Sequence, residues 1–116
     1  MSQLLTAEAM IAAYNAQNAD AYVEFMTEDA CEANYRGAVV REGKEGTRAG
    51  LKAMFAEFPE NRVTIVERHE LGVYVVLKER VSRGTPADGS AIPAPFDVIA
   101  IYSFEGDKVS RVEFVR

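Results

Sequence analysis

At Arg62 the spacing of apolar side chains changes from three-and-four to two, and that change constrains the fold more than any other feature of the chain. Before it, one stripe of Met10, Ala13, Tyr14 and Gln17 marks residues 6–18 as a helix, and Leu51, Met54, Phe55 and Phe58 form a second stripe. After it come RVTIVERHE, VYVVLKERVS, FDVIAIYSF and KVSRVEFV, all alternating and rich in Val and Ile. Long antiparallel strands with one buried face require this pattern. Leu71-Gly72 and Glu105-Gly106-Asp107 read as tight turns, and GTPADGSAIPAP, residues 84–95, as a long loop. A chain with its helices first and its strands last is an α+β protein, with the helices gathered on one face of a curved antiparallel sheet.

The helical half has its own punctuation. Thr6 is the expected N-cap of the first helix, Asn18 and Ala19 break it, and Asp20 is the expected cap of a short second helix carrying Tyr22, Phe25 and Met26. Residues 30–36 suit a short strand, Gly37, Gly43 and Gly46 mark a mobile connection, and Thr47 is placed as the cap of a third helix that Pro59 and Asn61 stop. The order is therefore α-α-β-α-β-β-β-β. At 116 residues one domain, 1–116, is expected, burying roughly two-thirds of the surface of the unfolded chain around one core.

Charge narrows the partners. The net charge is −5, and six acids with no Lys or Arg fall in residues 1–35, which places the excess on the polar faces of the first helices. An acidic chain with no basic run cannot neutralise a ladder of phosphates, so nucleic acid and anionic membranes are set aside as partners. No apolar run approaches the ~20 residues of a membrane span, and MSQLLTAEAM has no basic region ahead of an apolar stretch, so no secretory signal is visible. The single cysteine, Cys31, excludes an internal disulfide, and the expectation is a cytoplasmic protein. One His and one Cys are too few soft ligands for a zinc site, so neither a metal nor another cofactor is expected.

The phrases YNAQNADAYVEFMTEDA, GTRAGLKAMFAEFP and FDVIAIYSFEGDKVSRVEF, in this order, resemble the nuclear-transport-factor-2-like superfamily, in its SnoaL-like and steroid delta-isomerase-like branch. The resemblance covers nearly the whole chain. It implies a cystatin-like cone in which the sheet wraps the helices around an apolar pocket, and homodimers formed through the sheet. It also implies a small apolar ligand, polyketide-, steroid- or aromatic-like, and proton-transfer chemistry such as isomerisation, cyclisation or hydration by a pocket carboxylate. A non-catalytic binding module of the same fold is the alternative. The steroid isomerases' own catalytic set does not carry over: the position of the base falls on Asn34, that of the strand aspartate on Ala100, and Tyr14 is the nearest match to the helix tyrosine.

The carboxylates that remain are Glu79 and Glu32, the two candidate catalytic groups. Glu79 interrupts the same-side stripe Val73, Val75, Leu77, Glu79, Val81, so it faces either the cavity with that stripe or an arginine on the sheet surface. Glu32 shares one side of its strand with Asn34 and is either a pocket group or a solvated edge carboxylate. A carboxyl in a dry pocket has its pKa raised and serves as acid or base near neutrality. Candidate ligand-binding residues are Tyr14, Asn34, Phe55, Phe58, Val98, Ala100 and Tyr102, with Tyr22 and Phe114 as further aromatic bulk. His69 reads as a rim residue on the side of Val63, Ile65 and Glu67, and Cys31 as an inert thiol without a cationic neighbour in sequence. The opposite sheet side, with Val66, Tyr74, Val76, Ile99 and Ile101 among Arg68, Lys78, Arg80, Arg111 and Glu113, reads as the dimer surface.

Overall fold

The computed structural model describes residues 1–116. Its first helix, α1 (Gln3–Asn15), starts earlier than expected because Ser2, not Thr6, supplies the capping oxygen: Ser2 Oγ accepts the Leu5 amide at 3.1 Å. Thr6 is buried inside the helix instead. The same exchange occurs at α2 (Ala19–Val23), where Asn18 Oδ1 accepts the Ala21 amide at 3.0 Å and Asp20 sits in the first turn. An upstream Ser or Asn competes well for this role, which is why caps read from sequence slip by a few residues.

The strand β1 (Met26–Asn34) begins directly after this short helix and is longer than expected. Residues read as a mobile connection form a further strand, β2 (Val39–Glu42), paired antiparallel with β1. It is followed at once by α3 (Gly43–Glu57). Thr47 is therefore an interior residue rather than a cap, its Oγ1 donating to the Gly43 carbonyl at 2.9 Å, and Thr47, Leu51 and Phe55 form the buried face. The strands β3 (Arg62–Leu71), β4 (Tyr74–Ser82), β5 (Phe96–Glu105) and β6 (Lys108–Val115) follow the four alternating segments to within a residue.

The six strands form one sheet in the order β2-β1-β6-β5-β4-β3. The last four make an antiparallel meander, and β1 enters parallel to β6. Gly72 and Gly106, at φ of +61° and +62°, make two of its turns in a conformation that costs other residues strain. Met10, Tyr22, Leu51, Leu77 and Tyr102, from three helices and two strands, meet in one apolar core on the inner face of the sheet.

A bulge in β3 corrects the assignment of sides. Ile65 pairs with Glu79 and Glu67 with Lys78, so Val66 has no partner and the alternation inverts there. Val63 and Ile65 face inward, whereas Glu67 and His69 face outward, opposite Lys78 and Val76. Arg68 consequently leaves the outer face assigned to it and turns to α1, where its Nε donates to Glu8 at 2.8 Å. Four of the six acids of the first 35 residues meet bases of residues 41–52: Asp20 meets Arg48 and Lys52, Glu24 and Glu28 meet Lys44, and Glu32 meets Arg41.

Candidate active site

Helices and inner sheet face do not close completely, and a cavity of about 240 Å³ remains between them. Its polar content follows from the alternation of two strands. On β4, Val75, Leu77, Glu79 and Val81 all turn inward, and period two carries the same side on to Arg83 just beyond the strand. Glu79 is 3% exposed and lies in no ion pair, so it is not a surface carboxylate. Across the sheet, Tyr102 of β5 donates its hydroxyl to Glu79 Oε2 at 2.9 Å. The other carboxylate oxygen, Oε1, has no protein donor and opens on the cavity.

Glu32 is fixed by the strand that the sequence concealed. Its register partner on β2 is Arg41, whose Nη1 donates to Glu32 Oε1 at 2.8 Å, while Tyr22 of α2 donates to Oε2 at 2.6 Å. With β2 beside it, β1 is not an edge strand, and Glu32 is 1% exposed rather than solvated. Both of its oxygens are thus engaged. Asn34, further along the same strand, also lines the cavity.

The two carboxylates differ electrostatically. Burial pushes Glu79 up from 4.5 to about 7; the Tyr102 hydrogen bond opposes this and the nearby charge of Glu32 adds to it. Burial also raises Glu32, against the pull of the Arg41 charge and the hydrogen bonds from Tyr22 and Arg41. Tyr22 and Tyr102 are held well above 10.0, first by burial and then by the carboxylates they serve, so both remain hydroxyl donors. Only Glu79 combines a free oxygen with a pKa near neutrality, the combination a general acid–base needs.

A second polar cluster lies on the cavity wall. Arg83 Nη1 donates to Tyr14 Oη at 3.2 Å, to Met54 Sδ at 3.1 Å and to Asn61 Oδ1 at 3.3 Å; Asn61 Nδ2 also donates to Tyr14 Oη at 2.6 Å. The Arg83 guanidinium lies 5.4 Å from the Phe96 ring centroid and 5.7 Å from that of Phe58.

Of the residues expected around a ligand, Tyr14, Asn34, Val98 and Tyr102 line this cavity together with Glu32 and Glu79. Phe55, Phe58 and Ala100 do not. Phe55 packs edge-on against Tyr14, with centroids 5.2 Å apart, and so backs the wall rather than forming it. Phe58 lies behind Arg83, and Ala100 is too short to reach past its neighbours Val98 and Tyr102. His69 is exposed on the outer face, 3.6 Å from Glu67. Cys31 is half-buried and does have a cationic neighbour, Arg111, whose Nη1 lies 3.2 Å from its Sγ across the β1–β6 pairing. No group of three or more His, Cys, Asp or Glu side chains is placed to hold a metal ion, and no helix is long and apolar enough to cross a membrane.

Sequence reasoning missed Arg41, Met54, Asn61 and Arg83. Arg83 was within reach, because it continues the same-side series of Glu79 and Val81. Arg41 was not, because its role depends on the pairing of β2.

The SnoaL-like domain family model matches residues 7–112. An uncharacterized cystatin fold protein from Novosphingobium aromaticivorans is similar to the chain at 64% identity, with 100% of this chain and 99% of that one covered and a TM-score of 0.98. An epoxide hydrolase of the LEH-like type from M. tuberculosis shares the fold at 15% identity, covering 97% of this chain and 80% of its own, with a TM-score of 0.79. An NTF2-like protein of unknown function from Cytophaga hutchinsonii does so at 17% identity, covering 98% and 88%, with a TM-score of 0.76. No curated protein matches the chain.

Proposed function

Because the chain belongs to the SnoaL-like domain family, we propose that it acts on a small organic molecule held in the cavity and moves a proton within it, with Glu79 as the general acid–base. The observation that carries this reading is the free, cavity-facing oxygen of a buried carboxyl whose pKa is about 7. At neutral pH such a group is present in both forms, so it can take a proton from carbon or water and return it elsewhere on the same ligand. Tyr102 fixes the carboxyl's orientation, and Glu32, saturated by Arg41 and Tyr22, holds the facing wall and adds negative charge that favours the protonated form of Glu79. Isomerisation, cyclisation and hydration all fit one proton-transferring group with no second nucleophile. The apolar wall of Ile11, Val63, Val81 and Val98 suits a ring or hydrocarbon body.

The test is mass spectrometry of ligands retained by the native protein, followed by incubation of the retained compound in D2O. Wild type should introduce deuterium into it, and Glu79→Gln should retain the compound but introduce none. Equal incorporation by both proteins would remove Glu79 from the chemistry. Retention without turnover by either favours the alternative, a binding module of the same fold.

We further propose that the outer sheet face receives a second copy of the chain. The helices leave this face uncovered. Tyr74, Val76, Ile99 and Ile101 form an apolar centre there, bordered by Lys78, Arg80 and Arg111 and by Glu67, Asp97 and Glu113. Such mixed charge lets a two-fold-related copy set acids against bases.

A further inference from the structure

The proton-transfer reading leaves two cavity groups without employment. Three arginines line the cavity, but only Arg41 is neutralised, by Glu32; Arg83 and Arg116 lie in no ion pair. In a chain of net charge −5 whose other cavity-facing cation is fully paired, two unmatched guanidinium groups on one wall are conspicuous. They also crowd each other's electrostatics: Arg116 lies 4.1 Å and Arg83 5.4 Å from the centroid of the same ring, Phe96.

The hydrogen bonding of Arg83 shows which edge of it is free. All three of its protein contacts, to Tyr14, Met54 and Asn61, are made by Nη1. Nε and Nη2 have no protein acceptor, and neither is sealed from the cavity. Those two nitrogens form the side-on fork of a guanidinium, whose parallel N–H groups match the two oxygens of a carboxylate. Asn61, fully buried, and Met54 clamp the opposite edge, and the Phe58 and Phe96 rings hold the plane. The fork is therefore set before any ligand arrives, which limits the ordering cost of binding.

We propose that this fork is an anion subsite and that the molecule the cavity takes is a small aromatic acid, its carboxylate on Arg83 and its ring directed toward Glu79 and Tyr102. The spacing suits it. Glu79 and Arg83 are four residues apart on one side of an extended segment, roughly 13 Å along the backbone, and both side chains lean into a cavity of about 240 Å³. That volume lies below the ~300 Å³ at which drug-sized ligands begin, so a single ring with a short acidic arm fills it. The Phe96 and Phe114 rings supply aromatic wall beside the anion end.

The inference rests on the reading of the cavity as a ligand site, and the experiment separates the two. Benzoate and its neutral isostere benzamide are titrated by calorimetry into wild type, Arg83→Gln and Arg83→Lys. Wild type should bind benzoate about tenfold or more tighter than benzamide, the range of a charge-assisted bidentate contact. Arg83→Gln should abolish that preference while leaving benzamide affinity within about twofold, and Arg83→Lys should restore only part of it, since the fork is lost although the charge is kept. Raising NaCl from about 50 to about 500 mM should weaken benzoate and not benzamide in wild type, a test that requires no variant to fold. Equal affinity for both compounds in wild type, or equal weakening of both by Arg83→Gln, overturns the anion subsite and leaves the ligand site standing. Absence of binding by either compound overturns the aromatic-acid assignment, while retained ligands and deuterium incorporation still decide the proton-transfer reading.

Discussion

Replacing Glu79 by glutamine should remove a pH dependence of stability that the wild-type fold carries. In the folded protein burial raises the Glu79 carboxyl to about 7 from its ordinary 4.5. Between these values the folded state holds a proton that the unfolded chain has released, so wild-type stability falls as pH rises. The loss begins near pH 4.5, is complete once pH passes about 7, and does not grow further above it. At 1.36 kcal/mol per pH unit, the gap amounts to about 3 kcal/mol. Glutamine keeps the shape and does not titrate. Urea unfolding of both proteins at several pH values from about 4.5 to 8 isolates the effect, because the carboxyl groups other than Glu32, the one acid coupled to Glu79, titrate in wild type and variant alike. For a slope of ~1.5 kcal/mol per molar urea, the midpoint difference between the two proteins should move by roughly 2 M across the series, with the variant gaining toward alkaline pH. A midpoint difference that stays constant with pH would refute the reasoning, for it would mean that Glu79 titrates in the fold as it does in the open chain.

Two further outcomes follow from the same structure. Arg41→Leu leaves the buried Glu32 with Tyr22 as its one partner, and should cost about 3 kcal/mol in urea unfolding at pH near 8; adding Glu32→Gln should recover part of that loss, and a single-variant cost below ~1 kcal/mol would show the pair to be solvated. Ile101→Lys puts a charge at the centre of the outer sheet face, opposite Val76, and should shift sedimentation at micromolar concentration from dimer to monomer while the far-ultraviolet dichroism is unchanged; a monomeric wild type refutes the proposed association.

The sheet was legible from sequence because one signal, period two, was repeated four times and bounded by Gly-containing turns. The ends of those strands fall within a residue of where alternation places them. Boundaries failed where two local devices compete. Ser2 and Thr6 are both good caps, as are Asn18 and Asp20, and only the packing of Thr6 into the core decides the first case. The short strand Val39–Glu42 escaped because glycines flank it and because its stability comes from pairing with β1, a long-range contact that no local pattern records. The bulge at Val66 escaped for a related reason: a single unpaired residue inverts every side chain after it without altering the alternation of the sequence.

The site was legible to the extent that it lies on strands of known parity. Glu79 and Tyr102 stand on well-defined alternating segments, so their inward direction follows once one face is assigned to the core. Glu32 required more, since its neutralising partner stands on the short strand Val39–Glu42 and its hydroxyl donor, Tyr22, on a short helix ten residues upstream whose periodicity is weak. The distinction between the two carboxylates lies deeper still. Both are buried acids facing one cavity, and composition treats them alike; what separates them is the number of protein donors each receives, two at Glu32 and one at Glu79. An acid with both oxygens bound offers no lone pair to a ligand, whereas an acid with one oxygen free exchanges its proton with whatever enters. Arg83, with one nitrogen engaged and a fork left open, is by the same logic the place for the proposed anion. Unfilled hydrogen-bonding capacity at cavity-facing groups, rather than residue type, therefore locates both ends of the proposed ligand.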